Sequence, residues 1–98
     1  MQIPKSVKIL GLDYEIKEVD CVDAKDEDVI GQINHSTLVI SLKSNLPNTQ
    51  KENTLIHEIT HGILENIGES DLNNNEDFVN RFSSVLHQVI TANKSLFL

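Results

Sequence analysis

The chain has 98 residues, a length that fits one domain with a modest hydrophobic core. Its net charge is −7, with only eight lysines and arginines, so a nucleic-acid-binding face is not expected. Cys21 is the single cysteine, which excludes an internal disulfide and favours a reducing compartment. Neither a membrane span of roughly 18 apolar residues nor a signal peptide is evident. We therefore expect a soluble, cytoplasmic protein with no membrane partner.

Alternating apolar residues predict a small antiparallel sheet within about residues 5–42. Residues 7–10 and 12–19 have the period of two that is typical of strands. Residues 30–42 have the same alternation around a polar turn, and they predict a hairpin. The acidic segment 20–28 between these units is expected to be a solvated loop.

Two helices are predicted after the sheet, which gives the α+β class. The first spans about residues 49–67, where Thr49 and Glu52 have capping-box spacing and Gly68 is suited to end the helix. The second spans about residues 74–93. A broad buried face is expected on this helix, formed by Phe78, Phe82, Val85 and Val89 with their neighbours Val79, Leu86 and Ile90.

The first helix contains the sequence His57-Glu58-Ile59-Thr60-His61. Residues four apart lie on one side of a helix, so His57 and His61 project their imidazoles toward one point. This spacing suits two zinc ligands. Glu58 is rotated about 100° from His57, where its carboxylate can address a metal-bound water without ligating the metal. The motif predicts a zinc site that hydrolyses peptide bonds with Glu58 as general base.

A third protein ligand is required, because a catalytic zinc keeps its fourth position for water. Glu65 lies about 12 Å along the helix axis from His57, which is too far for direct ligation. We expect Glu65 to support the site indirectly or to be a surface charge. Glu76 opens the second helix and can face the histidines if the chain folds back, with Asp77 and Asp71 as alternatives.

Three further residues could in principle contribute to a site: His35, His87 and Cys21. His35 lies in the hairpin turn, where it either stabilises negative charge on a substrate oxygen or is an ordinary surface residue. His87 lies about 16 Å along the second helix from Glu76 and is expected to have a helix-surface role. Cys21 is expected to be a packed thiol and not a ligand.

Two segments of the sequence resemble the ImmA/IrrE family of metallopeptidases, and most closely its very small members from phages and prophages of Gram-positive bacteria. Residues 54–65 resemble the family's HExxH helix, and residues 76–83 resemble its pattern Glu-x-x-Ala-Asn-x-Phe-Ala. The residues that match this second pattern are Glu76, Asn80 and Phe82. The resemblance is strongest over residues 31–90, and two of the family's alanines are replaced, by Val79 and Ser83.

The resemblance implies a zincin-like metallopeptidase domain over residues 1–98, with Zn²⁺ as cofactor. It implies Glu76 as third zinc ligand and Glu58 as general base. The implied substrate is a regulatory protein such as a phage repressor, and zinc peptidases of this type commonly bind substrate as an added strand. We expect residues 38–42 to be the exposed edge that accepts it. The alternative is a catalytically weak, metal-stabilised module that binds a protein partner, for which Glu58 would not be needed.

Overall fold

The computed structural model describes residues 2–97 as a four-stranded sheet followed by helices, which confirms the α+β class. Met1 and Leu98, the two ends of the predicted domain, lie outside the described residues. The strands are β1 (Ser6–Ile9), β2 (Leu12–Val19), β3 (Gly31–Asn34) and β4 (Val39–Lys43). The helices are α1 (Asn48–Asn66), α2 (Ser70–Asn73) and α3 (Glu76–Ala92), and a 3₁₀ turn (Lys94–Phe97) follows them.

The sheet is mixed, with the strand order β1-β2-β4-β3. The two hairpins are antiparallel, but β2 and β4 run parallel, with Ile16 opposite Ile40. The prediction of an entirely antiparallel sheet is therefore wrong at this pair. β4 lies inside the sheet, and its Ile40 and Leu42 have 0% exposure. This buried position suits β4 because it is the more apolar strand of the β3–β4 hairpin. Alternation alone does not show which hairpin strand joins β2.

β3, and not β4, lies at an edge of the sheet, since β4 is paired on both sides. The prediction that residues 38–42 form an exposed edge is wrong for this reason. Among the described strands, β3 pairs only with β4. Its outer backbone groups are therefore available to an added strand.

α1 lies between the sheet and α3. Leu55 of α1 belongs to the main core, together with residues of β1, β2 and β4. Gly62 allows close packing, because a Cβ atom at this position would lie 2.8 Å from Cδ1 of Ile9. One side of α1 therefore packs against the sheet, and the side that contains the histidines faces α3.

The end of α1 turns the chain back toward the histidines. Gly68 has φ +78°, and its N–H donates to the carbonyl of Glu65 at 3.2 Å while that of Glu69 donates to Leu64 at 2.9 Å. This pair of bonds is a Schellman motif, and it confirms Gly68 as the stop. The start of α1 differs from the prediction, because Pro47 precedes Asn48 and no side chain caps the helix.

α3 packs through a narrow face. Val79 and Ser83 are its buried residues, whereas Phe82 is 48% and Val85 62% exposed. Of the residues predicted for this face, Val79 is confirmed as buried, whereas the breadth of the face is wrong, because α3 packs on α1 only through a narrow strip. No helix in the same range is both long and apolar enough to span a bilayer.

Candidate metal centre

Three side chains from two helices converge on one point: His57 and His61 of α1, and Glu76 of α3. One ligand atom of each lies within 4.8 Å of the others. Nε2 of His61 is 3.0 Å from Oε1 of Glu76, and Nε2 of His57 is 3.5 Å from Oε2. Ligand atoms around a tetrahedral zinc with bonds of 2.0–2.2 Å are about 3.3–3.6 Å apart. The triad therefore fits one divalent cation with only small side-chain movements.

The position of Glu76 follows from the turn after α1 and from the cap of α3. The N–H of Phe78 donates to Oδ1 of Asn75 at 3.1 Å, so α3 begins at Glu76, next to the histidines. The Glu76 side chain is 61% exposed, and the centre is open to solvent on this side. Within the described chain, Asp71 and Asp77 do not join the triad.

Asn73 hydrogen-bonds to His61 and orients its ring. Asn73 lies in α2, a short helix that was not predicted from the sequence. Nδ1 of His61 donates to Oδ1 of Asn73 at 2.6 Å, and Nδ2 of Asn73 donates to Oε2 of Glu65 at 3.4 Å. The Nδ1–H tautomer leaves the Nε2 lone pair for a metal. Glu65 thus supports the site indirectly, which agrees with one of its two predicted roles. No motif or spacing points to Asn73 in the sequence, apart from its place in the turn after the first helix.

Replacement of Asn73 by Ala should weaken zinc binding by roughly 10–100-fold, because His61 loses the acceptor that fixes its tautomer and ring orientation. Competition of each variant with a fluorescent zinc chelator measures this change. Asn74→Ala is the matched control, since Asn74 is exposed and adjacent. Equal zinc affinity of the two variants would show that Asn73 has no part in ligation.

His57 is half-buried and is held by its neighbours in α1 and α3. Its ring lies 4.9 Å from that of His61 at an interplanar angle of 71°, and one carboxylate oxygen of Glu76 lies 3.5 Å from its Nε2. Burial, followed by the nearby His61, lowers the pKa of His57, while Glu76 and Asn80 oppose this shift. The neutral imidazole that burial favours is the form that binds metals.

Glu58 lies beside the triad and is only 7% exposed. Burial raises its pKa to about 7, with His61 lowering it and Glu76 raising it further. Its carboxylate reaches the first residue of β3: a Cβ atom added to Gly31 would lie 3.2 Å from Oε2 of Glu58. A buried carboxylate with a pKa near neutrality suits proton transfer at physiological pH.

Gly31→Ala should destabilise the protein by about 1–3 kcal/mol through overpacking. The added Cβ would lie 2.5 Å from Cγ2 of Thr54. Thr54 cannot rotate away freely, because its hydroxyl donates to the carbonyl of Gln50 at 2.8 Å. Urea denaturation measures the change, with Gln32→Ala at the exposed neighbouring position as control. An unchanged midpoint for Gly31→Ala would contradict the close approach of β3 to α1.

The raised pKa of Glu58 predicts a pH-dependent stability of the metal-free protein. The protonated carboxyl stabilises the fold below pH 4.5, and this contribution is lost as the pH rises through the folded pKa of about 7. Glu58→Gln removes the dependence. The metal-free variant should exceed wild type by up to about 3 kcal/mol at pH 8 and match it near pH 4.5. Denaturation at both pH values tests this, and a constant difference would contradict it.

Two cavities meet at His57 and Glu58. The first, which we call the edge groove, has a volume of about 330 Å³ and follows β3 past the triad. Its lining consists of Gly31, Gln32, Ile33, His35, His57, Glu58, His61 and Glu76. The second, of about 430 Å³, lies between α1 and α3. Neutral polar groups contribute much of its wall, among them Gln50, Asn53, Asn80 and Ser84.

The remaining predicted residues lie in different places. His35 lines the edge groove. His87 lies between α3 and α1, with its side chain 13% exposed and Nε2 at 3.1 Å from Oε1 of Glu52. The prediction of a helix-surface role for His87 is therefore wrong. Cys21 is exposed, and its thiol donates to the carbonyl of Asp23 at 3.3 Å. The prediction of a packed thiol at Cys21 is therefore wrong.

Comparisons of the chain with protein-family models, with curated proteins and with solved structures find no match. The features of this chain that indicate a function are the geometry of the triad, the environment of Glu58 and the motif from His57 to His61.

Proposed function

We propose that this chain is a zinc-dependent metallopeptidase of the ImmA/IrrE type with a zincin-like fold. The observation that carries the proposal is the convergence of His57, His61 and Glu76 next to the buried Glu58. Two imidazoles and one carboxylate are a ligand set found in catalytic zinc sites, where the fourth position is left for water. The nitrogen-rich set favours zinc over magnesium or calcium, which prefer oxygen ligands.

In the proposed reaction, the triad and Glu58 have separate roles. His57, His61 and Glu76 would hold the zinc ion, which when bound would supply a Lewis acid for activating water and polarising a substrate carbonyl. Glu58 accepts the proton of the attacking water and then delivers it to the leaving amine. The close approach of Gly31 to Glu58 restricts the movement of the carboxylate.

The substrate in this proposal is an extended protein segment that adds to the outer edge of β3. Backbone pairing with an edge strand binds a peptide with little dependence on its sequence. The edge groove would bring the segment past both Glu58 and the triad. We propose a regulatory protein such as a phage repressor as the substrate, and the cytoplasm as the site of action, where the exposed thiol of Cys21 stays reduced.

A peptide-hydrolysis assay tests the proposal. Wild type is dialysed against a chelator, divided, and reloaded with one equivalent of zinc or left metal-free. Both samples are incubated with a pooled library of unstructured decapeptides, and new termini are identified by mass spectrometry. Cleavage by the zinc-loaded sample alone is expected. Zinc-independent cleavage, or none with bound zinc, would contradict the peptidase assignment, and the second outcome would favour the metal-stabilised binding module.

A further inference from the structure

The larger of the two cavities that meet at His57 and Glu58, which we call the helix pocket, lies between α1 and α3. It has a volume of about 430 Å³, and it shares Gly31, His57 and Glu58 with the edge groove. His61 and Glu76 line the edge groove but not the helix pocket. The helix pocket therefore opens beside Glu58, next to the metal centre, and the reaction described above gives it no role.

The wall of the helix pocket is polar but contains few charges. His57 and Glu58 are the only ionisable side chains on it, and both lie where it meets the edge groove. Its other polar groups are amides and hydroxyls from the two helices: Gln50, Asn53 and Thr54 of α1, and Asn80, Ser83 and Ser84 of α3. A ligand inside the pocket thus meets neutral hydrogen-bonding groups on both sides.

Two amides of α1 are available to such a ligand. The side chains of Gln50 and Asn53 are exposed, and they form no hydrogen bond with another of residues 2–97. The hydroxyls of Thr54 and Ser83, in contrast, donate within their own helices, to the carbonyls of Gln50 at 2.8 Å and Asn80 at 3.3 Å. Because an amide has two N–H donors and one oxygen acceptor, Gln50 and Asn53 offer both kinds of partner.

A carboxamide suits this wall better than an apolar or a charged group. An apolar side chain would remove water from the amides without replacing the lost hydrogen bonds, which costs free energy. A carboxylate would find no lysine or arginine in the lining and would lie near the carboxylate of Glu58. An ammonium would find only Glu58 as an anionic partner, and that pairing would occupy the base that the proposed reaction needs.

The role of Glu58 determines which substrate residue lies next to the helix pocket. In the proposed reaction, Glu58 delivers a proton to the leaving amine, which is the backbone nitrogen of the residue after the scissile bond. This transfer requires an approach of about 2.6–3.2 Å between the nitrogen and the carboxylate. Because Glu58 lines the helix pocket, the side chain of that same residue begins beside the pocket.

We propose, on the basis of the peptidase function above, that the helix pocket binds the side chain of the residue after the scissile bond and selects glutamine or asparagine. Gln50 and Asn53 hydrogen-bond to the substrate carboxamide from α1, and Ser84 does so from α3. A volume of about 430 Å³ holds either side chain with room for bridging water. The substrate class is thus an extended protein segment with a carboxamide residue directly after the cleaved bond.

A series of four peptides tests the selection. Mass spectrometry of the pooled library supplies a cleaved decapeptide and the position of its cleaved bond, and the residue after that bond is then set to Gln, Leu, Lys or Glu. With zinc-loaded wild type, kcat/KM for the Gln peptide should exceed that for each of the other three by roughly 10-fold. Equal values, or a preference for Leu, Lys or Glu, would overturn the selection of a carboxamide.

Asn53→Asp tests whether the helix pocket makes the selection. A carboxylate on the wall should raise kcat/KM for the Lys peptide, relative to the Gln peptide, by about 10-fold or more. Ser84→Asp should change the ratio in the same direction from the α3 side. Asn48→Asp is the matched control, because Asn48 is an exposed residue of α1 outside the pocket lining, and it should keep the wild-type ratio. Melting temperatures show that each variant is folded.

The other outcomes overturn the proposal at different levels. An unchanged Lys-to-Gln ratio in the folded pocket variants, or an equal loss of rate for all four peptides, would remove the helix pocket from substrate selection and leave the peptidase function intact. Failure of zinc-loaded wild type to cleave any library peptide would overturn the peptidase function and the role of the helix pocket together. The wild-type peptide series does not depend on the folding of any variant.

Discussion

Glu58→Gln should lower the rate of peptide hydrolysis by roughly 10²–10⁴-fold while zinc remains bound, because the amide cannot accept the proton of the attacking water. Gln has nearly the same shape as Glu, so the contact with Gly31 is retained. Single-turnover hydrolysis of a library-derived decapeptide measures the rate. Metal analysis of the same samples should give one zinc per chain for wild type and for the variant.

Asp77→Asn is the matched control for the loss of a carboxylate. Asp77 is exposed and follows Glu76, but it does not belong to the triad. This variant should hydrolyse the decapeptide at close to the wild-type rate. Unchanged activity in Glu58→Gln would show that Glu58 is not the general base, and it would favour the alternative of a metal-stabilised module that binds a protein partner.

His61→Ala should abolish the stabilisation of the fold by zinc. At a zinc concentration 100-fold above Kd, binding stabilises wild type by about 2.7 kcal/mol. For a domain of this size, this corresponds to a rise in melting temperature of roughly 10–20 °C. Two remaining ligands hold zinc far more weakly than three, so the variant should show little or no rise. Thermal denaturation with and without zinc measures the difference.

His87→Ala is the control for nonspecific binding of zinc to histidine. His87 faces Glu52 between α3 and α1 and lies outside the triad. The variant is expected to melt at a lower temperature, since Glu52 loses an ion-pair partner, but to keep the full zinc-dependent rise. A rise in His61→Ala as large as that in wild type would contradict the assignment of His61 as a ligand.

The local features of the site could be predicted from the sequence. The four-residue spacing of His57 and His61 fixes their common side on any helix. Gly68 predicts the end of the first helix, and a turn after it predicts that the chain folds back and places a carboxylate near the histidines. The structure brings Glu76 to that position, although spacing alone left Asp71 and Asp77 open. The roles of these residues in catalysis stay predictions.

The features that were missed depend on packing between distant segments. Alternation identified the strands but not the parallel pairing of β2 with β4, which made β3 the edge and brought Gly31 to Glu58. Asn73 contacts His61 only because the four-residue helix α2 forms in the turn. The exposure of Phe82 and Val85 reflects the narrow contact of α3 with α1, which an apolar pattern does not reveal.

The X-ray absorption spectrum at the zinc edge, recorded on wild type loaded with one equivalent of zinc, tests the metal centre most directly. His57, His61 and Glu76 predict two imidazole nitrogens at about 2.0–2.1 Å and oxygen ligands at about 2.0–2.2 Å, with the outer-shell scattering of two histidine rings. A spectrum of zinc surrounded by oxygen alone, without imidazole scattering, would contradict the metal centre and the peptidase function that depends on it.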